Sequence, residues 1–412
     1  MPFPESVGEI VRREQGKIIA SLVRMTRSIG RAEDACSDAS IEALRHWPER
    51  GIPTNPGAWL MTVARRKALD TIRRESTRDS HEVAAVADLR DPAPLDHHSV
   101  RDDQLRLIFL CCHPALSAQA QVPLALRLVC GLTTAEIAAG LMETEATIGK
   151  RITRAKAKIA AAGMSARLPS DGELVDRIRV VLATVALVFT TGHHAPNGPS
   201  LVRVDLTAEA IRLAELLCEL MPDEPECVGL LALQLSADAR HAGRVDRDGA
   251  IIVLKDVDRS KWDRDKIDRA VQLAHMAMRR GRIGSYQLQA AISCLHAVAP
   301  ELAVTDWQQI VTLYDRLCII EPSPAVHLNR ALAIAELRGA QAGMDALEPV
   351  ADDTPHIDLA RADLYRRLGL LDDATSAYQR AIVAAGNEPE RKHLVLQLQT
   401  MLANELRADT ST

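Results

Sequence analysis

Apolar residues recur at the helical period along almost the whole of this 412-residue chain, and that limits the fold more than any other feature. Ile10–Ile29 carries Ile10, Val11, Ile18, Ile19, Leu22, Val23 and Met25 as one stripe. A second helix is expected over Arg31–Trp47, stopped by Pro48, and a third over Ala58–Glu75 after the loop of Pro53, Pro56 and Gly57. Helices resume at about Asp102–Cys112, Ala118–Cys130, Thr134–Leu141 and Thr144–Ala161, and from Glu173 the period runs on to the end. Aromatic residues are only 3%, too few for an aromatic-rich β-sandwich or barrel. The spacing predicts an all-α protein. One small hairpin is expected at Arg244–Leu254, where Asp-Gly precedes a β-branched run.

Two breaks divide the chain. Residues 77–100 hold Asp79, Asp88, Asp91, Asp96, Pro92 and Pro94 with little apolar periodicity and read as a linker. Pro169–Gly172 is the second break. The expected domains are therefore 1–76, 101–168 and a long helical extension, 169–412. Net charge follows the same division. Residues 1–170 hold 24 Lys and Arg against 20 Asp and Glu, a net of +4, and the rest hold 26 against 35, a net of −9. The overall −5 thus conceals a basic front half suited to nucleic acid.

Several function classes are excluded at this level. Hydrophobic residues at 47% and charged residues at 25% argue against a disordered chain. The longest apolar run, Val180–Phe189, is far short of the ~20 residues that span a bilayer, and Met1–Pro4 does not open a secretion signal. Eight cysteines without a Cys-x-x-Cys pair suit a reducing cytosol, so a cytoplasmic protein without a membrane partner is expected. There is no Gly-x-Gly-x-x-Gly, phosphate-loop Gly-Lys-Ser/Thr or Gly-x-Ser-x-Gly, and no cofactor, metal or catalytic residue is expected. Cys111-Cys112-His113 point in different directions on a helix. The pair His193-His194 beside Gly192 and Pro196 fits a surface loop better than an active site.

Three constellations remain. Gly131-Leu-Thr-Thr-Ala-Glu-Ile-Ala-Ala-Gly-Leu141 is a short helix that Thr134 can cap, with Ala135, Ile137, Ala138 and Leu141 as its apolar face. A turn at Glu143–Thr144 leads into a helix burying Ile148, Ile152, Ala155 and Ile159. Lys150, Arg151, Arg154 and Lys158 lie on its other faces, and residues 146–170 hold six basic residues and no acidic one. This is the pattern of a helix-turn-helix with a basic recognition helix, Thr144 and Thr147 opening it; a plain helical hairpin with a solvated basic face is the simpler alternative. In Ala58–Glu75, Arg65, Arg66, Lys67, Arg73 and Arg74 make a basic surface, and Trp59 near its start either stacks on an unpaired base or sits in the core. Arg31–Glu42 opens an acidic amphipathic helix with Glu33, Asp34 and Asp38, acids that also suit a helix N-terminus.

In the final third, Ala362, Tyr365, Gly369, Ala374, Tyr378, Ala381 and Pro389 fit a tetratricopeptide repeat (TPR), with a partial copy at Tyr314, Leu317 and Pro322; generic helical hairpins are the alternative.

In order and separation these constellations resemble the extracytoplasmic-function (ECF) group of the sigma-70 family, the promoter-specificity subunits of bacterial RNA polymerase. The resemblance implies region 2 over 1–76, a linker, and region 4 over 101–168. It implies that the segment with Glu33, Asp34 and Asp38 binds the β′ clamp helices of core polymerase and that region 4 meets the β flap. It implies that Trp59, Arg65, Arg66, Lys67, Arg73 and Arg74 serve the −10 element. Thr134, Thr144, Thr147, Lys150, Arg151, Arg154 and Lys158 would serve the −35 element. Asp205–Ala214, Asp258–Asp263, Tyr286–Ala291, Thr305–Trp307 and Pro322–Arg330 resemble the class with a long TPR-like extension. The chain departs from the family at Ser37-Asp38, Ala64-Arg65-Arg66, Gly149 and Phe189-Thr-Thr-Gly-His193. The expected function is an alternative sigma factor binding core polymerase and promoter DNA. Its extension would contact the basic half or a partner protein. The alternative is a TPR-containing helix-turn-helix regulator that is not a sigma subunit.

Overall fold

The computed structural model describes residues 7–76, 97–141, 143–163, 170–193, 204–241, 252, 257–351, 356–385 and 388–409. Among these residues the regular structure is helical, with no strand. Of the expected hairpin at Arg244–Leu254, only Ile252 is described; His194 and most of the 77–100 linker likewise lie outside the described residues. Contacts divide the chain into two units, Met1–Val188 and Phe189–Thr412.

The first unit starts with three helices, α1 (Val7–Thr26), α2 (Ile29–Arg50) and α3 (Pro56–Ser76). The buried face of α2 is mostly small: Ala32, Ala35, Cys36, Ala39 and Ala43, then Trp47. Small residues let α1 and α3 approach closely and pack Ile18, Ile19, Leu22, Leu60 and Ala64 against it. Two expectations need correction here. The first helix ends at Thr26 rather than Ile29: Arg27 takes a left-handed φ of 53°, and Ser28 caps α2 by accepting from the Arg31 N–H at 3.3 Å. Pro48 does not stop α2, which runs to Arg50. Pro48 costs one bond, to the Leu44 carbonyl on an exposed stretch, and Gly51 (φ 82°) closes the helix by donating to the Trp47 carbonyl.

Four helices follow: α4 (His97–Cys111), α5 (Ala118–Leu128), α6 (Thr134–Leu141) and α7 (Glu145–Ala161). Leu107, Phe109, Leu124, Leu126, Leu128, Ile137 and Ile148 are their largest fully enclosed side chains. Each buried Leu or Ile contributes on the order of 1.5–3 kcal/mol. The cysteines of this core are structural: burial pushes the Cys112 thiol up to about 12 and Cys111 well above its ordinary value. Helix α8 (Asp171–His193) begins against these helices, its Arg177 donating to the Phe109 carbonyl at 2.6 Å.

The second unit stacks helices in sequence: α9 (Val204–Leu220), α10 (Pro225–Asp238), α11 (Arg264–Met278), α12 (Ser285–Val298), α13 (Trp307–Ile320), α14 (Pro324–Arg338), α15 (Ala340–Leu347), α16 (Ile357–Leu368), α17 (Leu371–Ala384) and α18 (Glu388–Asp409). Ala362, Ala374, Tyr378 and Ala381 pack α16 on α17, and Gly369 turns the chain between them at φ 76°. Several strings with family resemblance act as fasteners. Asp263 and Asp306 cap α11 and α13. Arg259 closes the end of α12 by donating to the His296 and Ala299 carbonyls, with its guanidinium 4.8 Å from the Trp262 ring centre.

Candidate nucleic-acid interface

The recognition helix is built as its periodicity requires. Thr144 accepts from the Thr147 N–H at 3.2 Å, and its hydroxyl is 2.9 Å from that of Thr147. Ile148, Ile152, Ala155 and Ile159 are all buried. The preceding helix differs by a residue from expectation. Thr133, not Thr134, is its cap: the Thr133 hydroxyl accepts from the Glu136 N–H, and the Glu136 carboxylate accepts from Thr133. That start turns Thr134, Ile137, Ala138 and Leu141 inward, the i, i+3, i+4, i+7 set, and leaves Ala135 exposed.

The basic residues of α7 divide by what they touch. Lys150 and Arg154 are exposed and have no partner among the described residues. Arg151 is paired with Glu143 at 2.8 Å, and Lys158 donates to the Ala115 carbonyl at 2.5 Å. Lys156 pairs with Glu33 on α2.

On α3, Arg66, Arg73 and Arg74 are exposed and Arg65 is half-buried. Arg73 lies 4.0 Å from Asp70. Lys67 donates to Glu42 at 3.2 Å; that bond, with His46 beside it, holds the Glu42 carboxyl below the usual carboxylate range. Trp59 is half-buried and meets buried Trp47 edge-on, with ring centres 5.4 Å apart. The two expectations for Trp59 are therefore compatible: one edge packs on the core while the side chain lines an open cavity of about 530 Å³. Ile52, Pro53, Thr54 and Val63 are among its other walls, with Arg50, Arg66, Glu42 and His46 as its charged and titratable lining, a mix of apolar and polar surface that suits a planar polar ring. The loop residues 52–54 were not anticipated from sequence, where they read only as a connection.

The acidic helix start is split. Asp34 and Asp38 are exposed, whereas Glu33 is largely enclosed, between Lys156 and Arg127, the latter at 3.7 Å. Ile41 and Leu44 add exposed apolar surface to α2, 46% and 55% accessible. Sequence could have flagged them, because both fall off the Ala35–Ala39–Ala43 stripe. His193 stacks on Phe189 at 5.2 Å, and no group of three His, Cys, Asp or Glu side chains among the described residues could hold a metal.

A capped helix-turn-helix with free cations on its second helix, behind a three-helix unit with a basic face and an aromatic cavity, defines a DNA-binding transcription factor. Comparisons narrow the class. Residues 10–78 match Sigma-70 region 2, residues 106–159 match Sigma-70 region 4, and residues 177–278 match a family of unknown function (DUF6596). An uncharacterized protein, R00370, of Rhizobium meliloti (strain 1021) is 40% identical over 394 residues, 93% of each chain. The ECF RNA polymerase sigma factor SigK of Mycobacterium sp. (strain KMS) is 28% identical over 148 residues, 34% of this chain and 74% of that one. SigK of Mycobacterium ulcerans (strain Agy99) is 29% identical over 140 residues, 33% and 74% of the two chains. No solved structure matches. The chain belongs to the ECF group of the sigma-70 family, in a form with a long C-terminal extension. It is an alternative sigma factor, acting with core RNA polymerase and promoter DNA.

Proposed function

We propose that this protein directs core polymerase to its promoters through three surfaces and helps open the duplex. Asp34, Asp38 and Glu33 on α2, joined by Ile41 and Leu44, dock on the β′ clamp helices, and region 4 rests on the β flap. Helix α7 enters the major groove at −35, with Lys150 and Arg154 in contact and Thr144 and Thr147 at its leading end. Arg65, Arg66, Arg73 and Arg74 hold the −10 strands, Lys67 supports that face through Glu42, and a melted base enters the cavity beside Trp59. The carrying observation is the pairing of a 530 Å³ aromatic-walled cavity with exposed Arg66 at its rim. The chemistry is binding in the cytoplasm, without a cofactor.

The proposed domains are region 2 (1–76), linker (77–100), region 4 (101–168) and extension (169–412). The extension is a TPR-like platform that stabilises the complex or regulates it, through a partner protein or the basic half.

Pull-down with sigma-free core polymerase, then run-off transcription on the protein's own upstream DNA, tests the reading. Stable binding and discrete transcripts are expected; no binding would overturn it in favour of a regulator independent of polymerase. Trp59→Ala should lower permanganate reactivity of −10 thymines while leaving core binding unchanged. Truncation after His193, which keeps α8 whole, separates the extension's roles: more transcription means restraint, less means support.

A further inference from the structure

The cavity of region 2 has an acid on its wall, set among the cations expected to hold DNA. Glu42 lines it from α2, with its side chain 25% exposed. Two groups fix this carboxylate. Lys67 of α3 donates to one oxygen at 3.2 Å, and the His46 ring nitrogen lies 3.1 Å from the other. A carboxylate has about four lone-pair sites, so each oxygen keeps one to offer. The Lys67 bond, reinforced by its charge, holds the group ionised, which leaves it an acceptor and never a donor. Arg66 lines the same cavity from α3 and is a donor only. It is exposed, and the ionic partners of Glu42 among the described residues are Lys67 and His46, so the acid does not neutralise Arg66.

A base seated there must donate toward Glu42 and accept from Arg66. Cytosine, adenine and guanine can do both, because each bears an exocyclic amine as well as ring or carbonyl acceptors. Thymine has a single ring N–H with a carbonyl on either side. A carbonyl turned toward Glu42 sets two acceptors face to face, and neither finds a donor.

We propose that Glu42 is a specificity residue of the −10 contact: it makes the cavity take a base bearing an exocyclic amine and reject thymine. This rests on the cavity receiving a melted base beside Trp59. Glu42 touches the base edge, and Lys67 and His46 are positioning residues that aim its free lone pairs. A −10 element read by this protein therefore carries cytosine, adenine or guanine at the captured position.

The test uses holoenzyme assembled from the full chain and promoter fragments already unpaired across the −10 element, so that base-pairing strength does not enter. Each non-template base of the element is changed in turn to the other three. The captured position is the one whose base preference Trp59→Ala abolishes. There, thymine should bind at least about tenfold less tightly than the best amino base, and the identity of that base distinguishes cytosine, adenine and guanine as the ligand. Removing only the amine, with pyrimidinone for cytosine, purine for adenine or hypoxanthine for guanine, should cost wild type about fivefold or more. Glu42→Gln, whose amide donates as well as accepts, should cut the thymine penalty to about threefold or less. Thymine preferred at the captured position overturns the proposal, as does no loss on removing the amine or a Glu42→Gln protein with unaltered preferences. The analogue series needs no variant and decides the matter even where Glu42→Gln folds poorly. If Trp59→Ala abolishes no preference at any position, the cavity takes no base and the underlying reading falls.

Discussion

Gly149 separates helix stability from DNA contact. It lies inside α7, where glycine costs up to about 1 kcal/mol relative to alanine. Beyond its own turn of helix, no atom of the described residues lies within 4 Å of a Cβ built there, so Gly149→Ala meets no obstacle among them. The expected gain is about 0.5–1 kcal/mol, from a better helix former and a less flexible unfolded chain. For a unit of this size that raises the melting temperature by roughly 1–4 °C. If glycine is there so that the helix backbone can approach a phosphate, the added methyl should weaken holoenzyme binding about fivefold, near 1 kcal/mol. Calorimetry on the full chain and competition binding of holoenzyme to its own promoter give the two numbers. A stabilised variant with unaltered promoter binding would refute close approach as the reason for the glycine. A destabilised variant would refute the open environment from which the magnitude was worked.

Ile148→Ala removes a fully buried side chain beneath the recognition helix and should cost about 2–5 kcal/mol, seen as earlier thermal unfolding of the first unit with loss of promoter binding. His296 gives the extension a pH dependence. Burial, with Arg240 and Arg259 nearby, lowers its imidazole to about 4, below the unfolded value near 6.5. Its contribution is therefore present above pH 6.5 and lost as the pH falls toward 4, about 2 kcal/mol by pH 5; His296→Gln should flatten the melting-temperature difference between pH 7 and pH 5, and an unchanged difference would refute the assignment. Lys150→Gln and Arg154→Gln should each reduce the salt dependence of promoter binding by about one unit of logarithmic slope, and Lys158→Gln should leave it unchanged.

The recognition helix was legible almost residue by residue, because Ile148, Ile152, Ala155 and Ile159 sit on one stripe and Thr144 is a strong cap in front of it. Both family matches also fall where those patterns stood. The failures were at boundaries. The stripe of α1 continues in register through Ile29; Ser28, a helix-capping residue, is the one hint of a new start, and the break itself rests on an arginine in a left-handed conformation. Pro48 misled in the other direction, because a proline near a helix end loses one bond that solvent can replace. The Trp59 cavity was half legible: the tryptophan stood out, but its walls come from a loop and from α2, and periodicity within one helix carries nothing about that assembly.

Charge is where sequence misleads most. The basic count on α3 and α7 suggests a uniform phosphate-binding surface, yet the fold assigns those cations different tasks. Lys67, Arg151 and Lys158 hold Glu42, Glu143 and a backbone carbonyl, while Lys150, Arg154, Arg66 and Arg74 reach solvent with no partner among the described residues. Only the second group can release counterions without first breaking an internal contact, so only it should register fully in the salt dependence. Lys156 stands between the two groups. Its partner is a carboxylate 123 residues away in sequence, a pairing that no helical spacing encodes.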